Sequence, residues 1–205
     1  MSEQIFTQRQ NNLKNKLAEM GVDGILLTNL TSIRYLCGFS GSAASCLITT
    51  DGSYFISDGR YDVQSKNQVK GLERFIDFGT HLSIIEKNNL IQNGLKLGFE
   101  GDHTSVSQFK AMQDVFSNVN WESTSMLMEN LQAIKDQSEL DAIRTAVEIT
   151  DAIYEEIIPM LKVGTTEKDV AIQLVTRYRQ ESDGEAYSPI VAGGPNSALP
   201  HAVPG

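Results

Sequence analysis

The chain has 205 residues, of which 40% are hydrophobic and 21% charged, a globular composition that excludes fibrous and disordered classes. Its net charge is −9 and its sequence pI about 4.8; with no Lys/Arg cluster, a nucleic-acid partner is not expected. No apolar stretch approaches the roughly 20 residues of a membrane span, and the opening MSEQIFTQRQ lacks the basic-then-apolar form of a signal peptide, so no membrane or secretory role is expected.

The elements alternate. Thr7-Gln8-Arg9-Gln10 has capping-box form, followed by Leu13, Leu17 and Met20 at helical spacing and by Gly21 as a C′ residue. Val22 to Leu27 predicts a short buried strand. Ser45 to Ile48 and Ser53 to Ser57 flank Thr50-Asp51-Gly52, in which Asp-Gly is a hairpin signal. Arg60 to Val69 predicts a helix and Leu72 to Phe78 a strand. Leu82, Ile85 and Asn89 mark a helix face, and Leu95 to Glu100 is another strand. Ser105 to Gln108 forms a second capping box ahead of Phe109, Met112 and Phe116. Strands separated by helices of this length imply an α/β domain with a mixed or parallel sheet and helices packed on it.

The pattern then changes. Asp136 to Glu139 opens a long helix with Leu140, Ile143, Val147, Thr150, Ile153, Ile157 and Leu161 at spacings of three and four. Pro159 removes a backbone donor and should loosen its last turn. After Val163-Gly164, Thr165 to Asp169 starts another helix, with Val170, Leu174 and Tyr178 on one face, ending near Asp183-Gly184. Two long helices after an alternating region predict a second domain. The boundary is expected near residues 125–132, giving domains 1–128 and 129–205. Residues 189–192 form an apolar extended run whose strand edge would be unpaired. The exposed apolar helix faces then predict a truncated domain.

Few side chains suggest chemistry by themselves. Cys37 and Cys46 lack CxxC spacing and are expected to be reduced, buried and cytosolic. His81 and His103 have no ligand-spaced partner and are expected to be structural or solvated. Gly38-Phe39-Ser40-Gly41-Ser42 lacks the Lys-Ser/Thr of a phosphate cradle, so a glycine-permitted turn is favoured. Asp58-Gly59-Arg60-Tyr61 is expected to be a strand-to-helix turn with a structural ion pair. Asp151, Glu155 and Glu156 fit the solvated side of an amphipathic helix better than a metal site.

A resemblance adds to this. Pro189-Ile190-Val191-Ala192-Gly193 followed by Asn196-Ser197-Ala198-Leu199-Pro200-His201 resembles the strand, Gly turn and Asn-x-Ala-x-Pro-His run that precede the metal ligands of Xaa-Pro aminopeptidases and prolidases. Ile134-Lys135-Asp136, with Glu139-Leu140 and Ile143-Arg144-x-Ala146, is similar to the start of that catalytic domain. Tyr35 to Ser42 and Asp58 to Tyr61 resemble stretches of the creatinase-type N-terminal domain. The resemblance covers nearly the whole chain.

It implies a creatinase-type N-terminal α/β domain followed by the start of a pita-bread (α+β) domain. In the intact parent that domain would hold two divalent ions, often manganese, that activate water and polarise the scissile carbonyl. The two Asp, one His and two Glu that ligate them would follow Gly205, so no metal ligand and no catalysis are expected of this chain alone. His201 matches a histidine that contacts substrate or stabilises the tetrahedral intermediate. The substrate implied is a peptide with proline in second position, and the implied assembly a cytoplasmic homodimer. Arg34, Tyr35 and Phe39 are candidates to approach a partner's substrate. A dipeptidase, a creatinase-type amidinohydrolase and a non-catalytic dimerisation or peptide-binding module remain alternatives.

Overall fold

A computed structural model describes residues 3–205. The chain divides into two compact units, one running to Ile134 and the other Lys135–Gly205.

The first unit contains α1 (Glu3–Glu19), β1 (Gly24–Leu27), α2 (Leu30–Cys37), β2 (Ser45–Thr49), β3 (Ser53–Ser57), α3 (Asp62–Gln68), β4 (Glu73–Ile76), α4 (His81–Lys87), β5 (Lys96–Glu100), α5 (Val106–Val115), β6 (Asn120–Thr124) and α6 (Leu127–Ala133). The strands form one sheet in the order β4-β3-β2-β1-β5-β6. β2 is antiparallel to both β1 and β3, whereas β1–β5, β5–β6 and β3–β4 are parallel. The α/β class with a mixed sheet is therefore as the alternation implied. Side chains along β1 alternate between two cores. Ile25 and Leu27 join Leu13 and Leu17 of α1, Ile33 and Leu36 of α2 and Met128 of α6. Leu26 joins Ile84 and Ile85 of α4 and Met112 of α5. A sheet covered on both faces accounts for strands that are apolar throughout rather than alternating.

Several boundaries differ from the sequence reading. Thr7 does not start α1; its hydroxyl donates to the Glu3 carbonyl at 3.1 Å. The helix includes the preceding turn because Phe6, buried with Leu13 and Leu17, continues the apolar face. α2, at 8 residues, is too short for a helical period to show in the sequence. Asn29 caps it by accepting from Thr31 N, and Gly38, at φ 82°, closes it with an N–H bond to Arg34 O. α4 stops at Lys87, and Asn89 adopts φ 50° beyond it. β4 ends at Ile76, short of Phe78, which is 91% exposed. β6 and α6 were not anticipated either. α6 stays with the first unit because Met128 is buried there and Leu127 and Leu131 pack on the same core, and the division falls after Ile134.

The second unit is a helical pair, α7 (Gln137–Ile157) and α8 (Glu167–Glu181). Both helices open with complete capping boxes, Asp136/Glu139 and Thr166/Asp169. Pro159 sits in a short 3₁₀ turn, Ile158–Met160, that tightens the end of α7. Ile153, Ile157 and Val170 form its buried centre, flanked by Ile149, Met160, Leu174, Tyr178 and Val191. Arg177 of α8 grips Glu156 of α7 through Nε at 2.7 Å and Nη2 at 3.0 Å. Leu140, Ile143 and Val147 of α7 lie exposed. The strand expected at residues 189–192 does not form. Among the described residues every strand belongs to the first unit's sheet, so this run has no neighbouring strand in its own unit to satisfy its backbone groups.

The tie that holds the centre of the first unit is a buried carboxylate. Glu100, at the end of β5, accepts from Thr28 N at 3.2 Å and Asn29 N at 3.1 Å, and from Ser32 Oγ at 2.6 Å. It thereby binds the end of β5 to the turn that launches α2. Glu100→Ala leaves those buried donors unpaired and is expected to cost about 2–3 kcal/mol. Urea unfolding checks this, with Glu100→Gln, which keeps one acceptor oxygen, falling between the alanine variant and the parent.

Candidate functional site

The sequence-predicted site residues fall in both units. Arg34, Tyr35 and Phe39 belong to the first. Arg34 is exposed on α2. Tyr35 is half-buried; the Arg9 guanidinium lies 4.3 Å from its ring centroid, Arg9 Nη1 donates to its carbonyl at 2.8 Å, and its own hydroxyl donates to Leu131 O at 3.4 Å. It thus joins α1, α2 and α6. Phe39 is 1% exposed, edge-on to Phe55 at 4.8 Å and to Tyr61 at 5.4 Å. Its ring is enclosed by core neighbours and presents no face to a substrate. A Cβ on Gly41 would stand 2.3 Å from Phe39 Cζ, so this turn needs glycine for close approach rather than to cradle a phosphate.

Asp58 forms the expected turn. It caps Arg60 N at 3.0 Å and takes Arg60 Nε and Nη2 at 2.9 and 2.8 Å. The Arg60 side chain, opposed by slight desolvation, holds the exposed Asp58 carboxyl down at about 2. Nearby, Ser45 Oγ and His81 Nδ1 lie 2.8 Å apart. Burial pushes the His81 imidazole below its ordinary value, against the opposing charge of Asp58. Cys37 and Cys46 are free and buried, as expected.

The second unit holds His201, and the organisation around it comes from a residue that the sequence reading passed over. Thr166 caps α8 and is paired with Asp169, so Glu167, the first helical residue, has no local partner to serve. Its carboxylate turns to the loop that follows. Oε1 accepts from Gly193 N at 2.7 Å and Asn196 Nδ2 at 3.1 Å; Oε2 accepts from Asn196 Nδ2 at 3.2 Å and Gly205 N at 3.1 Å. Lys168 N returns a bond to Gly205 O at 3.0 Å. The Gly193 amide, then the Gly205 amide and the Asn196 carboxamide, hold the Glu167 carboxyl below the usual carboxylate range. Between these anchors the backbone runs through successive turns, with Asn196 N bonded to Gly193 O, Leu199 N to Asn196 O and Ala202 N to Leu199 O. Ala202 is buried, and His201 beside it is exposed. The signal for Glu167 was legible as an acidic residue additional to a complete capping box.

Elsewhere in this unit α7, α8 and the segment 182–190 enclose a groove of about 740 Å3. Ile149, Tyr154, Leu174, Tyr178, Tyr187 and Ile190 are among its walls, whereas His201 is not. Asp151, Glu155 and Glu156 lie on the exposed side of α7. Among the described residues, no group of three or more His, Cys, Asp or Glu side chains is placed to hold a metal ion, so the side chains present do not fit a metal centre. No helix among them is long and apolar enough to cross a membrane.

Comparison with known proteins gives these features a context. Residues 9–134 match the family model described as the creatinase/prolidase N-terminal domain, and residues 141–205 match metallopeptidase family M24. The uncharacterized peptidase YqhT of Bacillus subtilis is 35% identical over 193 residues, covering 93% of this chain and 54% of that protein. The solved structure of an Xaa-Pro dipeptidase from Bacillus anthracis superposes with a TM-score of 0.89 at 34% identity, over 98% of this chain and 56% of its own. That of an X-Pro aminopeptidase from Thermotoga maritima gives 0.82 at 29% identity, over 94% and 55%. The chain spans about half the length of the relatives it matches.

The placements separate packing residues from an available one. Phe39→Ala should cost about 3–5 kcal/mol, whereas His201→Ala should change stability by no more than about 0.5 kcal/mol; chemical denaturation of both variants checks the contrast. His81 has a depressed native pKa, so the unfolded chain takes up this proton more readily. Its contribution to stability is complete above the unfolded value of about 6.5 and is lost as the pH falls below it. An NMR titration should place the His81 midpoint below that value, and His81→Asn should flatten this part of the stability profile.

Proposed function

Since the chain belongs to the creatinase/prolidase family of metallopeptidases, we propose that it is the N-terminal part of an Xaa-Pro aminopeptidase that hydrolyses the bond between an N-terminal residue and proline. The observation that carries this reading is the fixed loop ending in an exposed imidazole. Asn196-Ser197-Ala198-Leu199-Pro200-His201 lies within the M24 match, in a loop anchored to α8 at Gly193, Asn196 and Gly205, and leaves His201 open. A ring nitrogen of His201 would donate a hydrogen bond to the carbonyl oxygen of the scissile bond and strengthen it as negative charge develops there. Holding the imidazole on a pinned loop removes the cost of ordering it during reaction. The amide nitrogen of a proline peptide carries no hydrogen, so recognition falls to shape and to the carbonyl, which is the group His201 serves.

In this reading the residues that would hold two divalent ions, manganese by preference, lie outside these 205 residues, and the ions would supply an activated water in the parent. The 205 residues alone neither bind the ions stoichiometrically nor cleave peptide. The parent works as a cytoplasmic homodimer, and exposed Arg34 on α2 faces outward to a partner or its substrate.

The decisive test is to read the gene past Gly205 and express its full product. That product should cleave a tripeptide with proline second in a Mn2+-dependent manner, and His201→Ala should lower kcat by about 100- to 1000-fold. Cleavage of Xaa-Pro dipeptides alone would move the assignment to a dipeptidase. A reading frame that stops at Gly205, with no hydrolysis, would leave a non-catalytic binding module.

A further inference from the structure

Resting on the reading of His201 as a substrate-side group, we propose that Glu167 is a positioning residue, whose carboxylate fixes the loop 193–205 and so sets where the imidazole stands. The helix does not need this carboxylate for its own start. Thr166 Oγ1 already accepts from Asp169 N at 3.1 Å, and Asp169 Oδ2 accepts from Thr166 N at 3.2 Å, which completes the cap. Glu167 is instead spent on three groups distributed along the loop: the Gly193 amide at its entrance, the Asn196 carboxamide within it and the Gly205 amide at its far end. His201 lies between the second and third.

The chemistry asks for a carboxylate. Both oxygens act as acceptors, and every partner is an N–H donor. Glutamine would keep one acceptor and turn the other corner into an N–H group facing an N–H group. Aspartate is one methylene shorter and would withdraw from the loop. The helix N-terminus favours the same charge. The other contacts of the loop are its own turns, the bond from Lys168 N to Gly205 O at its far end and the packing of Ala202. Those shape the loop without fixing both of its ends to α8.

The test uses the 15N-labelled 205-residue chain and amide exchange. In Glu167→Gln, which keeps only one acceptor, the Gly193 or the Gly205 amide should exchange at least about tenfold faster, the effect of losing one good hydrogen bond. Val170 and Leu174, inside α8, should keep their protection. Glu181→Gln, which removes a carboxylate from the Arg177 pair at the other end of α8, should leave both loop amides unchanged. A pH series adds a readout that a passive packing role would not move. The native Glu167 carboxyl is depressed, so its hold is complete above about 4.3 and is lost as the pH falls through its lower native value. Wild type should lose Gly193 and Gly205 protection over that acid range, and Glu167→Gln should show no such transition. Should Glu167→Gln unfold α8, the wild-type pH series decides, because it leaves the helix sequence untouched. Unchanged loop protection in a folded Glu167→Gln, the absence of an acid transition in wild type, or an acid transition persisting without the carboxylate, overturns the proposal. Peptidase assay of the full gene product keeps the two readings apart. An inactive wild type sinks the hydrolase reading and leaves the exchange result standing; an active wild type with full kcat retained in Glu167→Gln overturns the positioning role.

Discussion

In the middle of the first unit, backbone amides and carbonyls must be satisfied where no water reaches. The constraint falls on β1, which is buried along its whole length and pairs antiparallel with β2 and parallel with β5. At its exit the ladder ends, and the amides of Thr28 and Asn29 would be orphaned as the chain turns into α2. Glu100, at the end of the neighbouring parallel strand, supplies the missing acceptors and takes the Ser32 hydroxyl as well. One carboxylate therefore satisfies its own desolvation and closes the ladder. The direction of α2, and with it the positions of Arg34, Tyr35 and the Gly38 turn, follows from that tie.

The same device recurs in the second unit with a different purpose. Glu167 is half-buried and supplies acceptors to a loop rather than to a strand end. Exposed hydrogen bonds contribute little to global stability, and the packed centre of this unit is small, built on Ile153, Ile157 and Val170. What several bonds converging on one carboxylate do supply is geometry. They pin the two ends of a segment that holds a short 3₁₀ turn, Gly194–Ala198, and no strand, leaving a histidine at a defined place. That combination of a fixed backbone and an available side chain is what distinguishes His201 from Phe39, whose ring is consumed by packing.

Periodicity carried most of the architecture in advance. The short apolar runs of the strands, the Asp-Gly hairpin between β2 and β3 and the helix starts at Ser105, Asp136 and Thr166 are local signals, and the structure contains the corresponding elements. The Asn-x-Ala-x-Pro-His run was legible as a resemblance. Elements were lost where local signals were weak. α2 has only 8 residues between its Asn29 cap and Gly38, so its helical period is barely expressed, and α6 has no side-chain cap at all, with Met126 in the left-handed region before it. Thr7 satisfied the form of a capping box but lies within a helix whose apolar face begins earlier.

Sequence by itself determined the fold class, the change from an alternating region to paired helices, and the identity of the histidine-bearing run, because each is written in residues close together in the chain. Only the tertiary structure decided which residues are free to act. Phe39 and Tyr35 are drawn into packing by partners remote in sequence, and α6 is claimed by the first core through Met128. The loop around His201 is held by Glu167, which is 26 residues from Gly193 and 38 from Gly205. No local pattern encodes a hydrogen bond across such separations; it exists only once α8 is formed and the chain has turned back to its N-terminus.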